Sequence, residues 1–177
     1  LATFDYHKSW VNGLAGYESN SISAEVYDFA TYLLTNYNNS GKTFILQNWE
    51  GDNNLGQDAS AVKVQGMIDW LNCRQDAINA AMADSTSSNV WVYGAAECNK
   101  VGQPNWSGPR CITDVFPFLH MDLYSYSDWY TRYNEEYLLE DLNNIKRFAP
   151  DSPTFGHNNV MLGEFGLSRN AVDGEAG

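Results

Sequence analysis

Two glutamates follow short apolar runs at distant points of the sequence. Glu50 stands in Asn-Trp-Glu-Gly-Asp after residues 43–46, and Glu164 stands in Leu-Gly-Glu-Phe-Gly after residues 159–162. Hydrolysis of a glycosidic bond needs two carboxyl groups, a protonated one that assists the leaving oxygen and an ionised one that attacks or activates water. Carboxylates at the ends of different strands can meet, so Glu50 and Glu164 form a candidate catalytic pair.

A third glutamate, Glu97, follows the apolar run 90–96. It is a candidate for orienting substrate or for taking the acid role in place of Glu50, and pairing within the loop that follows is its structural alternative. That loop is rich in Gly, Pro and Asn and is bracketed by Cys98 and Cys111. We expect a disulfide between these two cysteines to close the loop.

Tryptophans in predicted loops and strand ends are candidate sugar-binding residues. The flat face of a tryptophan can stack on the apolar side of a pyranose ring. Any one of these rings can equally be packed in the protein, so the interpretation depends on their number near the strand ends. The candidates are Trp10, Trp49, Trp106 and Trp129, together with His7, which precedes Trp10.

Helices and strands alternate along the chain and must position these residues. Apolar positions spaced three and four residues apart predict helices at residues 26–37, 60–83 and 133–148. Short apolar runs predict buried strands at residues 43–46, 90–96, 120–126 and 159–162, and residues 2–7 are a candidate for the end of one more strand. This alternation is typical of an α/β fold with parallel strands.

Two architectures suit the alternation, an open doubly wound sheet and a closed (β/α)8 barrel. The first is expected to carry a Gly-rich phosphate turn, and neither GxGxxG nor GxxxxGK[ST] occurs in this sequence. Carboxylates and aromatic residues at the carboxyl ends of strands are instead typical of barrel enzymes. A whole barrel takes about 250 residues. We therefore expect the 177 residues to be part of a single (β/α)8 TIM-barrel catalytic domain, from about its third or fourth strand to its seventh.

With the strand before Glu50 numbered as the fourth, the sequence resembles the clan of retaining (β/α)8 glycoside hydrolases that includes cellulases, mannanases and β-galactosidases. The resemblance rests on Asn48 and Glu50 at the end of that strand and on Gly-Glu-Phe-Gly around Glu164 at the end of the seventh. It implies that Glu50 is the general acid/base and Glu164 the nucleophile. It also implies that a tyrosine of the sixth strand, Tyr124 or Tyr126, hydrogen-bonds the nucleophile.

The composition restricts the class of partner. The formal net charge is −12, with 10 Lys and Arg against 22 Asp and Glu, whereas a protein that binds nucleic acid needs a basic face. No apolar run approaches the roughly 20 residues of a membrane helix. We expect a carbohydrate substrate, neither a nucleic acid nor a membrane as partner, and a mechanism without cofactor or metal. The abundance of Asn, Ser, Tyr and Trp, together with the expected disulfide, favours a secreted or periplasmic protein.

Two other functions suit the same residues. A metal-dependent barrel isomerase or lyase would bind Mg²⁺ or Mn²⁺ through Glu50, Glu97, Asp122 and Glu164, and chelation would abolish its activity. A non-catalytic carbohydrate-binding barrel would bind glycan through the tryptophans, with the glutamates hydrogen-bonding hydroxyl groups. Glutamine at positions 50 and 164 would remove turnover only from an enzyme.

Overall fold

The computed structural model of the chain describes residues 10–103, 105–128 and 134–165. Within these ranges, four strands form one curled sheet in which every neighbouring pair is parallel and the strand order follows the sequence. Parallel neighbours need connections that cross back over the sheet, and helices make most of these connections here. The strands are β1 (Lys42–Gln47), β2 (Val90–Cys98), β3 (Leu123–Asp128) and β4 (Val160–Phe165).

The helices of the described part of the chain lie before β1 and in the connections between strands. A π-helical turn and a 3₁₀ turn, Cys111–Val115 and Phe116–Phe118, come before β3. None of these helices is both long enough and apolar enough to cross a membrane. The α-helices are α1 (Gly16–Asn36), α2 (Gly51–Leu55), α3 (Ala61–Asp84) and α4 (Glu135–Phe148).

Capping side chains explain where the two long connecting helices begin. At the start of α3, the Ser60 hydroxyl accepts a hydrogen bond from the Lys63 backbone N–H at 3.2 Å. At the start of α4, the Asn134 side chain accepts from the backbone N–H groups of Glu136 and Tyr137 at 3.1 and 3.3 Å. A cap of this kind stabilises a helix by about 1 kcal/mol. The helices predicted over these two segments are confirmed.

Helix α1 begins earlier than its apolar periodicity indicates. The periodic positions start at residue 26, whereas the helix starts at Gly16. The Glu18 carboxylate accepts a hydrogen bond from the Ala15 backbone N–H at 3.0 Å, which satisfies a donor at the helix start. Ile22, which lies in the additional turns, is buried in the core, so both capping and packing support them.

The hydrophobic core lies between one face of the sheet and helices α1 and α3. Leu34 of α1, Leu71 and Ile78 of α3 and Val92 of β2 are all buried in it. Burying an aliphatic side chain of this size contributes roughly 1.5 to 3 kcal/mol. We call this side of the sheet the helix-covered face.

The opposite side of the sheet is concave because the sheet curls. A Cβ atom placed on Gly163 of β4 would lie 3.0 Å from Gln47 Oε1 of β1, although two strands separate β1 from β4. Side chains from both edges of the sheet therefore meet over this surface. We call it the concave face.

The predicted fold class is wrong. The described residues form an α/β fold with a four-stranded curled sheet whose edges are β1 and β4, not a partial (β/α)8 barrel. The additional strand expected at residues 2–7 lies outside the described residues. Helix–strand alternation specifies parallel pairing, but an open curled sheet and a closed barrel share that alternation. The sequence pattern therefore does not indicate whether the sheet closes into a barrel.

Candidate functional site

Side chains from three strands converge at the carboxyl end of the concave face. Gln47 of β1 donates a hydrogen bond through Nε2 to Glu97 Oε1 of β2 at 3.1 Å. Gln47 also lies near Gly163, the residue before Glu164 of β4. We call Glu50, Glu97 and Glu164 the glutamate cluster.

Glu97 is the buried member of the cluster, with 1% of its surface exposed. Its Oε2 accepts a hydrogen bond from the Glu50 backbone N–H at 2.6 Å, so donors reach both of its carboxylate oxygens. Burial raises the pKa of Glu97 to about 7, and the negative charges of Glu164 and Glu50 act in the same direction. The hydrogen bond from Glu50 opposes this rise. Glu97 therefore exchanges a proton near neutral pH.

Asn48 connects the end of β1 to the backbone of β2. Its Oδ1 accepts from the Glu97 N–H at 2.8 Å, and its Nδ2 donates to the Glu97 carbonyl oxygen at 3.4 Å. Only 5% of Asn48 is exposed. The contacts of the Asn48 amide are therefore structural, although the residue lies beside the cluster as the sequence indicates.

Glu50 lies three residues after β1 and is the N-cap residue of the short helix α2. Its backbone is left-handed, with φ 38° and ψ 66°, and its side chain accepts a hydrogen bond from the Asn53 amide. The next residue must be small, because a Cβ atom on Gly51 would lie 2.5 Å from the Glu97 carbonyl oxygen and 2.8 Å from Cys111 Sγ. This close approach holds Glu50 beside β2.

Glu164 lies at an irregularity between β3 and β4. The pairing register shifts between Tyr126 and Ser127, so that Ser127 pairs with Glu164. The Ser127 hydroxyl donates to Glu164 Oε2 at 3.1 Å. Glu164 is half-buried, and its immediate hydrogen-bond donor is a serine.

The two tyrosines predicted to contact the nucleophile lie on the helix-covered face. Tyr124 donates to the Leu119 carbonyl oxygen at 3.3 Å, and Tyr126 donates to Asp141 Oδ2 of α4 at 2.7 Å. Both rings are fully buried. Since successive side chains of a strand point to opposite faces, a tyrosine one residue before Ser127 cannot share its direction. The prediction of a tyrosine contact to Glu164 is therefore wrong. The Tyr-Ser-Tyr-Ser alternation of residues 124–127 could have indicated that serines, not tyrosines, face Glu164.

Asp52 is a site residue that the sequence analysis missed. Its Oδ2 accepts from the backbone N–H groups of Asn99 and Lys100 at 3.0 and 3.2 Å, and its Oδ1 accepts from that of Cys111 at 2.9 Å. Asp52 is completely buried. It therefore holds both ends of the loop after β2 against α2. The available signal was a carboxylate two residues after Glu50.

The predicted disulfide between Cys98 and Cys111 is wrong. All three cysteines lie in the described part of the chain, and all are free thiols. The Asp52 carboxylate holds the ends of the loop instead, while the Arg110 guanidinium donates to carbonyl oxygens inside it, including that of Val101 at 3.1 Å. Burial raises the pKa of both thiols well above the usual value. The prediction of a secreted or periplasmic protein then rests on composition alone.

The predicted sugar-binding aromatic residues have different environments. Trp10 is 1% exposed and stacks on Trp70 at a centroid distance of 6.1 Å, so its ring belongs to the core and the predicted substrate contact is wrong. Trp49, the neighbour of Glu50, is 53% exposed. Trp129 and His7 lie outside the described residues. Trp106 is half-buried in the loop after β2, where its Nε1 donates to the Pro109 carbonyl oxygen at 3.2 Å. Trp49 is the exposed candidate next to Glu50, and its position suits a ligand at the cluster.

The ligands of the metal-dependent alternative do not all meet. Asp122 precedes β3, at the end opposite Glu97 and Glu164, where its Oδ2 accepts from Gln75 Nε2 at 2.7 Å and from the Gly94 backbone N–H at 3.2 Å. In the ranges that the structure describes, no three His, Cys, Asp or Glu side chains are grouped so that they could hold a metal ion.

The glutamate cluster combines two kinds of carboxyl group. Glu97 is buried and fully hydrogen-bonded, whereas Glu50 and Glu164 are half-buried and so remain accessible to a ligand. Comparison of the chain with protein-family models, with curated proteins and with solved structures gives no significant match. The likeness to retaining glycoside hydrolases therefore rests on the residues around Glu50 and Glu164.

Proposed function

We propose that this chain hydrolyses O-glycosidic bonds of an oligo- or polysaccharide by a retaining two-glutamate mechanism. The observation that carries the proposal is the arrangement around Glu97. Its carboxylate accepts a hydrogen bond from the Glu50 backbone N–H at 2.6 Å, and Gln47, which donates to its other oxygen at 3.1 Å, lies near Gly163, the residue before Glu164. Residues 50 and 164 come from opposite edges of the sheet, and the charges of both raise the pKa of this buried carboxyl group. Hydrolysis of a glycosidic bond requires two accessible carboxyl groups at one site.

Glu164 is the nucleophile in this proposal. A Glu164 oxygen attacks the anomeric carbon and forms a glycosyl ester as the bond from that carbon to the leaving oxygen breaks. The leaving oxygen takes its proton from the Glu50 carboxyl group. The Ser127 hydroxyl, which donates to Glu164 Oε2, orients the attacking carboxylate.

Glu50 acts as the base in the second step. It takes a proton from water, the water oxygen bonds to the anomeric carbon, and the ester bond to Glu164 breaks. The sugar leaves with its original anomeric configuration, and both glutamates return to their starting states. The exposed Trp49 ring, next to Glu50, suits stacking on the apolar face of the sugar.

Substitution of the two glutamates tests the proposal. Initial rates are measured on a panel of aryl α- and β-glycosides and on plant, algal and microbial polysaccharides. Glu50→Gln and Glu164→Gln should each lower kcat by about 10²- to 10⁴-fold while retaining affinity for the glycan. Glu136→Gln on the exposed surface of α4 is the matched control and should keep the wild-type rate. Full turnover in either cluster variant would exclude the mechanism.

A further inference from the structure

The backbone conformation of Glu50 is unusual for its residue type. Left-handed backbone occurs at three non-glycine residues among those described, Asn39, Glu50 and Asn89. Asparagine adopts this conformation readily because its short side chain bonds locally, but glutamate has no such advantage. The surroundings must therefore hold Glu50 in place.

The Glu97 carboxylate makes two of the contacts that hold the end of β1. One oxygen accepts from the Glu50 backbone N–H at 2.6 Å and the other from Gln47 Nε2 at 3.1 Å. In return, Asn48 bonds the backbone N–H and carbonyl groups of Glu97. Four hydrogen bonds thus join Glu97 to three residues of the Gln47–Glu50 segment.

We propose that Glu97 is a positioning residue whose carboxylate fixes the backbone of Glu50 and thereby the place of the Glu50 side chain in the site. The hydrogen bond from the Glu50 N–H to Glu97 is observed in the structure. Its importance for turnover rests on the proposed function. A direct role for Glu97 as proton donor to substrate suits the structure less well. The residue is 1% exposed, and donors reach both of its oxygens.

The positioning contact should depend on pH. The pKa of Glu97 is about 7, raised by burial first and then by the charges of Glu164 and Glu50, the titratable groups that act on it from β4 and from the end of β1. Its pairing partner on β3, Ser125, does not titrate in this range. Ionised Glu97 accepts both hydrogen bonds, and protonation converts one acceptor into a donor. The contact is therefore complete above about pH 7 and weakened below it.

Amide resonances test this contact without any substrate. In ¹⁵N–¹H spectra of the wild-type chain recorded from acidic to alkaline pH, the Glu50 amide proton should move upfield on acidification, with a midpoint near the Glu97 pKa of about 7. Glu97→Gln should abolish that transition. Glu164→Gln should keep it but lower its midpoint, because one of the charges that raises the Glu97 pKa is gone. A Glu50 amide that does not respond, or that still titrates in Glu97→Gln, would overturn the assignment.

Kinetics then distinguishes positioning from proton donation. Glu97→Ala removes the acceptor for the Glu50 N–H and should lower kcat by up to about 100-fold with little change in KM. Glu97→Gln keeps one carbonyl acceptor and should lose much less rate, with the pH dependence near pH 7 removed. If Glu97→Gln is as inactive as Glu50→Gln, Glu97 is the proton donor and the positioning role is refuted. A chain without hydrolase activity whose Glu50 amide still titrates would refute only the proposed function.

Discussion

The two faces of strand β3 have opposite roles although they alternate within one six-residue segment. On the helix-covered face, Tyr124 and Tyr126 are fully buried and donate to partners outside the sheet, the Leu119 carbonyl oxygen and Asp141. On the concave face, Ser125 and Ser127 are small and leave room beside the glutamates. Because consecutive side chains point to opposite faces, the same strand packs two large tyrosines into the core and presents two small serines to the candidate site.

Each face also holds a carboxyl group of raised pKa, and the neighbours differ. Burial raises the pKa of Asp141, while the hydrogen bond from Tyr126 opposes the rise. Burial also raises the pKa of Glu97, and in both places two neighbouring carboxylates add to the rise, Asp128 and Glu140 at Asp141 and Glu164 and Glu50 at Glu97. A raised pKa therefore does not identify a functional group by itself. What distinguishes Glu97 is its hydrogen bond with the Glu50 backbone N–H at 2.6 Å.

The largest effect expected on the helix-covered face comes from Tyr126→Phe. The substitution leaves the buried Asp141 carboxyl group without its 2.7 Å donor, and an unsatisfied buried group costs roughly 1 to 3 kcal/mol. Chemical denaturation should show this loss, with the rate of hydrolysis per folded molecule unchanged. A loss of turnover at unchanged stability would instead place Tyr126 in the site and contradict the separation of the two faces.

A smaller effect, on kcat, is expected at the two serines of the concave face, and the two substitutions can be compared directly. Ser127→Ala removes the 3.1 Å donor to Glu164 and should lower kcat by roughly tenfold, the equivalent of one hydrogen bond to a charged group. Ser125→Ala is its matched control. Ser125 Oγ is buried and has no hydrogen-bond partner among the described residues, so stability and rate should change little. Equal kinetic losses in both variants would show that the Ser127 contact has no specific role.

Local sequence patterns were sufficient to predict most of the elements. The apolar periodicity locates α3 and α4, and apolar runs with turn residues on either side locate the strands. Helix α2 has five residues and no periodicity. It depends on the contacts that Asp52 makes with residues more than forty positions away, and no local pattern carries that information.

The sequence predicted that Glu50, Glu97 and Glu164 lie at or just after strand ends, but it did not predict their hydrogen-bond partners. Their roles at the candidate site stay predictions. The direction of the Tyr126 side chain depends on the strand register, which the sequence does not give. The cysteines are free because Asp52 holds the loop ends, and that contact has no local sequence pattern either. Strand β1 was also expected to be buried, yet Ile45 is 40% exposed because its side chain lies on the concave face, opposite the helices.

Covalent trapping of the glycosyl ester shows which glutamate is the nucleophile. A 2-deoxy-2-fluoro glycosyl fluoride of the configuration that the chain hydrolyses forms the glycosyl ester but slows its hydrolysis, so the ester accumulates and its position is read by peptide mass spectrometry. We expect a single label on Glu164 in the wild-type chain and none in Glu164→Gln. A label on Glu50 or Glu97, or efficient hydrolysis with inversion and no ester at any residue, would contradict it.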